Sequence, residues 1–180
     1  TEFNTIGSGT VTQAAAIGAE FGLGSTIARV DDSPVVMMYG QQPVWRTLEV
    51  GASDGADVAA LEFDLVGLGF DPSSMVVDDH FDSDTADAVY AWEESLERAE
   101  PDGIVSMGEI IFSPSAVQVT ESVPAGTRVS PGDALATVRP QSGSGLQLTF
   151  SVTEEAERYQ PGQPVRIVAA DGTTHDGEIT

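Results

Sequence analysis

Gly126-Thr-Arg-Val-Ser-Pro-Gly-Asp-Ala-Leu-Ala-Thr-Val138 decides the fold, because its pattern recurs in Gly18-Ala-Glu-Phe-Gly-Leu-Gly-Ser-Thr-Ile-Ala-Arg-Val30. Both copies have a Gly-x5-Gly-x5-Val frame, at a constant offset of 108 residues from Gly18 to Gly126. The offset also pairs Phe21 with Val129, Ile27 with Leu135 and Ala28 with Ala136. Each copy reads as strand, Gly turn, short strand, Gly turn, strand. Gly18, Gly24, Gly126 and Gly132 mark turns that call for positive φ, and the matched apolar positions face inward. Two such units are expected to pair into one sandwich.

Working outward, short β-rich runs separated by Gly, Pro, Ser and Asp lie before Leu48 and after Val105: Gly9–Thr12, Thr26–Val30, Val35–Tyr39, Glu109–Phe112 and Ala134–Val138. Between them the period is helical. Val58, Leu61, Leu65 and Leu68 form one stripe of a helix of about 13 residues that stops at Gly67 or Gly69. Ser53 or Asp54 is the expected cap, with Asp57 in the first turn. Ala88, Val89, Trp92 and Leu96 predict a second helix behind the caps Asp82 or Ser83, ended by Glu100-Pro-Asp-Gly103. Leu48, Phe70, Phe81 and Val105 are expected to close a small cluster with these helices. The segments are therefore 1–47, first β half; 48–105, helical insert projecting from the β module; and 106–140, second β half. Gln141-Ser-Gly-Ser-Gly145 is a flexible joint, and 146–180 is the start of a further β domain. In that last segment Leu146–Val152 alternates as a strand, Glu154–Tyr159 suits a short helical turn, and Pro161–Val168 reads as turn and strand.

Composition narrows the function. The chain has 29 Asp+Glu and 7 Lys+Arg for a net charge of -22, and all seven cations are Arg. Without lysine there is no Schiff base, P-loop lysine, or lipoylated or biotinylated side chain. A polyanion would meet net repulsion, which argues against nucleic acid and anionic lipid as partners. Zero Cys removes disulfides, thiolate zinc sites and cysteine nucleophiles. No apolar run reaches about 18 residues and no charged-then-apolar leader opens the sequence, so neither a membrane span nor a signal peptide is expected within it. The acid is uneven: residues 48–105 hold 16 of the carboxylates and only Arg98 among the cations.

The doubled motif resembles the biotinyl/lipoyl-like barrel-sandwich hybrid. Its division into halves, followed by Leu148-Thr-Phe-Ser-Val-Thr-Glu-Glu-Ala-Glu-Arg-Tyr-Gln-Pro-Gly-Gln-Pro-Val165, resembles the HlyD-type membrane fusion (periplasmic adaptor) proteins. Within the insert, Gly51–Leu61, Leu65–Phe70 and Phe81–Trp92 resemble the peptidoglycan-binding domain 1 repeat, a three-helix-like module. Where that repeat reads Asp-Gly-x-Phe-Gly, this chain has Asp78-Asp-His-Phe-Asp82. The resemblance implies a mainly β fold split by a small α insert. It also implies a non-enzymatic adaptor of a transport or efflux assembly in the extracytoplasmic cell envelope, with any anchor or signal removed. The implied partner is a membrane transporter of the ABC-permease type, or cell-wall peptidoglycan for a wall-binding module; a homo-oligomer is compatible with either. With no lysine to modify, a carrier role and its lipoyl or biotin cofactor are excluded.

Among chemistry-bearing residues, Asp79, Asp82 and Asp84, in the cluster Asp78 to Asp87, are the candidate Ca2+ ligands, because hard carboxylate oxygens suit that ion. Their spacing departs from the EF-hand loop, and N-capping competes as an explanation. His80 and His175 are the only histidines, and neither adjoins a Gly-x-Ser-x-Gly or His-Glu-x-x-His pattern, so no catalysis is expected. Glu93 with Glu97 and Glu154 with Glu157 carry no signature of a glycosidase pair. Tyr90, off the apolar stripe, is the candidate glycan contact together with His80, whereas Trp92, on the stripe, is expected in the core. Among Met37, Met38, Tyr39 and Trp45, alternating residues are expected to face the sandwich core and the others solvent or a partner, with most of them in the core.

Overall fold

The structure is a computed structural model that describes residues 1–71, 75–141, 164–168 and 174–178. Eleven strands and two helices follow in chain order among the described residues: β1 Glu2–Asn4, β2 Gly9–Gln13, β3 Glu20–Phe21, β4 Thr26–Val30, β5 Ser33–Tyr39, α1 Ala56–Leu68, α2 Ser83–Ser95, β6 Ile110–Ser113, β7 Val117–Ser122, β8 Arg128–Val129, β9 Ala134–Pro140, β10 Pro164–Val168 and β11 Thr174–Glu178. The chain is thus mainly β. Thr1–Ser144 form one compact unit and Gly145–Thr180 another. In the second unit β10 and β11 pair antiparallel, from Pro164 opposite Glu178 to Val168 opposite Thr174. The readings of Leu146–Val152 and Glu154–Tyr159 fall outside the described residues.

In the first unit one sheet has the order β1-β9-β7-β3 and the other β6-β5-β4-β2-β8. Adding 108 to the numbers of β1, β2, β3 and β4 lands on β6, β7, β8 and β9, so one sheet repeats the other, with β5 as the additional strand. The correspondence extends to single bonds. Val11 N donates to Thr127 O while Gly126 N donates to Val11 O; on the other side Val119 N donates to Ala19 O while Gly18 N donates to Val119 O. Gly18, Gly24, Gly126 and Gly132 all have φ between 74° and 94°, the left-handed conformation the repeat demanded.

The facing sides of the sheets bury Phe3, Ile27, Met37, Val119, Ala136 and Val138 in one cluster, and Val11, Ala28, Val35, Val129 and Leu135 in another. A third cluster joins the helices to the sheet: Val36, Met38 and Ile110 pack with Leu48, Val58, Leu61, Leu65, Phe81, Val89, Trp92 and Val105. Each such side chain removed from water contributes roughly 1.5–3 kcal/mol.

This third cluster corrects three expectations. Residues 48–105 lie against β5 and β6 instead of projecting away from the sheet. They carry two helices, not three, among the described residues. Val35 and Met37 alternate with Val36 and Met38, but the second pair faces the helices instead of solvent or a partner, so all four are buried. Trp45, outside that cover, is 64% exposed, with the Arg46 guanidinium 5.1 Å from its ring centre. The segment opens and closes on an antiparallel bridge between Leu48 and Val105, and β5 and β6, which it connects, are parallel.

Local chemistry sets the helix ends. α2 starts where Asp82 accepts from Asp84 N and Thr85 N, with Thr85 Oγ1 accepting from Asp82 N to complete a capping box. α1 ends at Gly69 as expected, but its N-cap is Gly55 with no side-chain cap, in place of Ser53 or Asp54. Those two side chains are engaged elsewhere: Ser53 Oγ accepts from Arg46 and Asp54 Oδ1 pairs with His80.

Candidate functional site

Helix α1 is built inside out. Setting its residues at 100° intervals places Val58, Leu61 and Leu65 on the core side, with Asp57, Glu62 and Asp64 on the flanks, and all six are buried. The remaining arc, about 120° wide, consists of Ala56, Ala59, Ala60, Phe63, Val66 and Gly67, none of them polar. Phe63 on that arc is 70% exposed. A surface helix ordinarily turns charge to water and apolar groups inward; here the acids are buried and a phenylalanine is outside.

The buried acids are stable inside because each has partners arriving from distant parts of the chain. Asp57 takes both Arg46 Nε and Nη2 at 2.7 Å, and that bidentate hydrogen bond holds its carboxyl below the usual range and the guanidinium above its own. Glu62 accepts from Thr85 Oγ1 at 2.6 Å and from Asp78 N at 2.8 Å, while burial raises its pKa. Asp64 accepts from Tyr39 N at 2.6 Å; its other oxygen, Oδ1, is buried without a hydrogen-bond partner, and burial pushes this carboxyl up to about 7. On α2, Glu93 accepts from Asp102 N and Gly103 N at 2.8 and 2.9 Å and pairs with Arg98, which reaches on to Glu109. These carboxylates tie the loops around the helices and tie α1 to the end of β5.

The residues singled out from the sequence stand on the outside of the same segment. His80 Nδ1 lies 2.8 Å from Asp54 Oδ1, a hydrogen bond that raises the pKa of this exposed imidazole. Tyr90, 44% exposed, lies seven residues along α2 from Ser83, about 10 Å up the helix axis. Trp92 is in the core. Asp82 is the cap of α2, its carboxyl held below its ordinary value chiefly by the Thr85 N–H. Asp79 contributes its carbonyl to Gly55 N, and the Asp84 N–H donates to Asp82. Among the described residues no group of three or more His, Asp or Glu is placed to hold a metal ion.

Two further surfaces frame the segment. The turn Gly22–Ser25 lies under the C-terminal end of α1: a Cβ added at Gly24 would stand 2.6 Å from Leu68 Cδ2 and one at Gly67 3.2 Å from Leu23 Cδ2. The matching glycine of the other half, Gly132, has open space. A depression of about 140 Å3, lined by residues including Thr5, Val30, Pro34, Val35, Met107 and Glu109, is below the size of ordinary small-molecule sites.

The outer arc of α1 lies opposite the stripe Val58, Leu61, Leu65 and Leu68, so that stripe alone does not reveal it. Placing all 13 residues on the wheel shows both the core side and the outer side to be apolar. No family model, curated protein or solved structure matches this chain.

Proposed function

We propose that the chain is a non-enzymatic, extracytoplasmic adaptor subunit of a transport or efflux assembly. In this reading the two matched sheets are a barrel-sandwich hybrid that frames residues 48–105 and presents them to a partner protein. The observation that carries it is the repeat of Gly turns, strand for strand and bond for bond, in a chain without a lysine for a carrier group. A frame of that kind works by position: its rigid sheets fix the direction in which the attached helices point. The exposure of Tyr90 supports a second reading, a peptidoglycan-binding wall module in which an aromatic ring stacks on sugar.

Cross-linking and affinity capture of the full chain in its native envelope is expected to retain an integral membrane transporter, with none of the protein sedimenting with purified sacculi. Removing the whole helical segment would uncover Val36, Met38 and Ile110, so point variants serve better. Sedimentation with sacculi that is lost in Tyr90→Ala and His80→Ala would overturn the adaptor reading in favour of the wall module. Release of soluble muropeptides would overturn its non-enzymatic part.

A further inference from the structure

The outer arc of α1 is about 17 Å long from Ala56 to Gly67 and offers no side-chain hydrogen-bonding group for a ligand to meet. Its exposed apolar surface continues beside the helix. The segment after residue 74 runs back along α1, with Asp78 N on Glu62 Oε2 and Asp79 O on Gly55 N, and in it Val76 and Val77 are also exposed. Isolated apolar side chains on a surface are ordinary. A whole helix face without one polar residue, on a helix that buries three carboxylates, is not.

The charge around that face selects its occupant. Asp54 precedes the N-terminus of α1, Asp71 follows its C-terminus, and Asp78 and Asp79 lie in the returning segment; all four are exposed. His80 pairs with Asp54 alone, and the two nearby arginines do not offset the other three, because Arg46 is paired with Asp57, and Arg98 with Glu93 and Glu109. A second copy would bring another net charge of -22 to the contact. Residues 145–180 hold six carboxylates against Arg158 and Arg166, so the chain's own remainder is acidic too. An anionic lipid surface would be repelled for the same reason. A helix has no free backbone edge for an added strand, while the small residues Ala56, Ala59, Ala60 and Gly67 allow another helix to approach closely around Phe63.

We propose that the outer face of α1 docks an amphipathic helix of a partner protein whose apolar stripe is bordered by Lys or Arg. This rests on the adaptor reading only in taking the partner to be a protein; the helix itself supplies the rest. The partner helix would cover Phe63 and Val66 while its cations met Asp54, Asp71, Asp78 and Asp79, giving affinity from the stripe and orientation from the rim.

The test uses the full chain and a fluorescent amphipathic Leu/Lys peptide of about 18 residues, enough for more than three helical turns. Controls are the same composition scrambled and a Leu/Glu amphipathic peptide. Anisotropy titrations should show binding of the Leu/Lys peptide that weakens with salt, about tenfold weaker binding of the scrambled peptide, and none of the Leu/Glu peptide. Phe63→Asp should weaken the Leu/Lys complex by about tenfold or more, whereas Tyr90→Ser on α2 leaves it unchanged. Phe63 is mostly exposed, so circular dichroism of the variant should match the parent. Equal binding of the scrambled peptide, or no effect of Phe63→Asp, overturns the proposal. So does self-association of the parent chain that Phe63→Asp abolishes, which would make a second copy the occupant. Sacculus sedimentation in parallel separates the two questions: wall binding sinks the adaptor reading and leaves the peptide result standing.

Discussion

Two turns of the molecule, Gly22–Ser25 and Ser130–Asp133, have the same internal wiring and opposite surroundings. In each, the last residue's N–H donates to the first residue's carbonyl, and a side chain of the last residue accepts from the first residue's N–H: Ser25 Oγ from Gly22 N, and Asp133 Oδ2 from Ser130 N. Gly24 lies under Leu68 of α1, while Gly132 faces open space. The wiring therefore belongs to the repeat, and the surroundings are set by the segment placed between the halves. A repeat of this kind keeps its backbone bonds and lets each copy acquire its own cover.

Disrupting the cover should loosen the first turn and spare the second. Glu93→Ala leaves the N–H groups of Asp102 and Gly103 without their acceptor and Arg98 with Glu109 as its one carboxylate, at an expected cost of about 3 kcal/mol. Native-state hydrogen exchange should then show faster exchange at Gly24 N, which donates to Met37 O, with little change at Gly132 N, which donates to Thr5 O. Equal acceleration at both would mean that the helices support the whole β unit alike.

Replacing the two glycines sharpens the comparison. Both have positive φ, so Ala is strained at either position by roughly 1–2 kcal/mol. Gly24→Ala also meets Leu68 and should cost about 1–2 kcal/mol more than Gly132→Ala in a denaturant titration. Leu68→Ala in the same chain should remove that excess. A double-mutant cycle with no coupling would show that the contact carries no energy.

The covered half also carries a titrating group. Burial raises Asp64 from 3.8 to about 7, so folding favours its protonated form. The stability it contributes is full below about pH 4 and is lost as pH rises to about 7. Asp64→Asn keeps an acceptor for Tyr39 N without the charge. Its unfolding free energy at pH 8 should exceed that of the parent by about 1–2 kcal/mol in a denaturant titration, with the difference vanishing near pH 4. Asp57, held low by Arg46, acts in the opposite sense: its stabilisation is lost as pH falls through its depressed value. A parent and Asp64→Asn that share one pH profile would remove Asp64 from this account.

The smallest effect separates the two turn braces themselves. Asp133→Ala removes a charged acceptor and should cost about 1 kcal/mol, while Ser25→Ala, losing a longer neutral bond of 3.1 Å, should cost about 0.5 kcal/mol. A reversed order would indicate that the cover over Gly22–Ser25 strengthens its brace by more than charge strengthens that of the bare turn.

The halves differ in how well the sequence reveals them. Gly18, Gly24, Gly126 and Gly132 are demanded by local backbone conformation, so their spacing could be read directly. The stripe Val58 to Leu68 and the cap Asp82 were legible for the same reason. Glu62, Asp64 and Glu93 were not, because their partners at Thr85, Tyr39 and Gly103 are set by tertiary packing. The expected cap of α1 is not used because Ser53 and Asp54 are drawn off by Arg46 and His80, and the second face of β5 meets helices instead of solvent or a partner because tertiary packing covers it. Tyr90 and His80 are exposed, and a glycan contact by either depends on a partner that lies outside the chain.

The parallel pairing of β5 with β6 bears on force. The chain leaves the sheet at Tyr39 and returns at Ile110, which lies beside Val36, so these two points are at opposite ends of the strand pair. Tension applied to the helices would first open the Leu48–Val105 bridge, whose reciprocal 3.0 Å bonds stand at the neck. Beyond that neck the load would run along β5 and β6 in opposite directions. Their hydrogen bonds would be sheared together instead of peeled one by one.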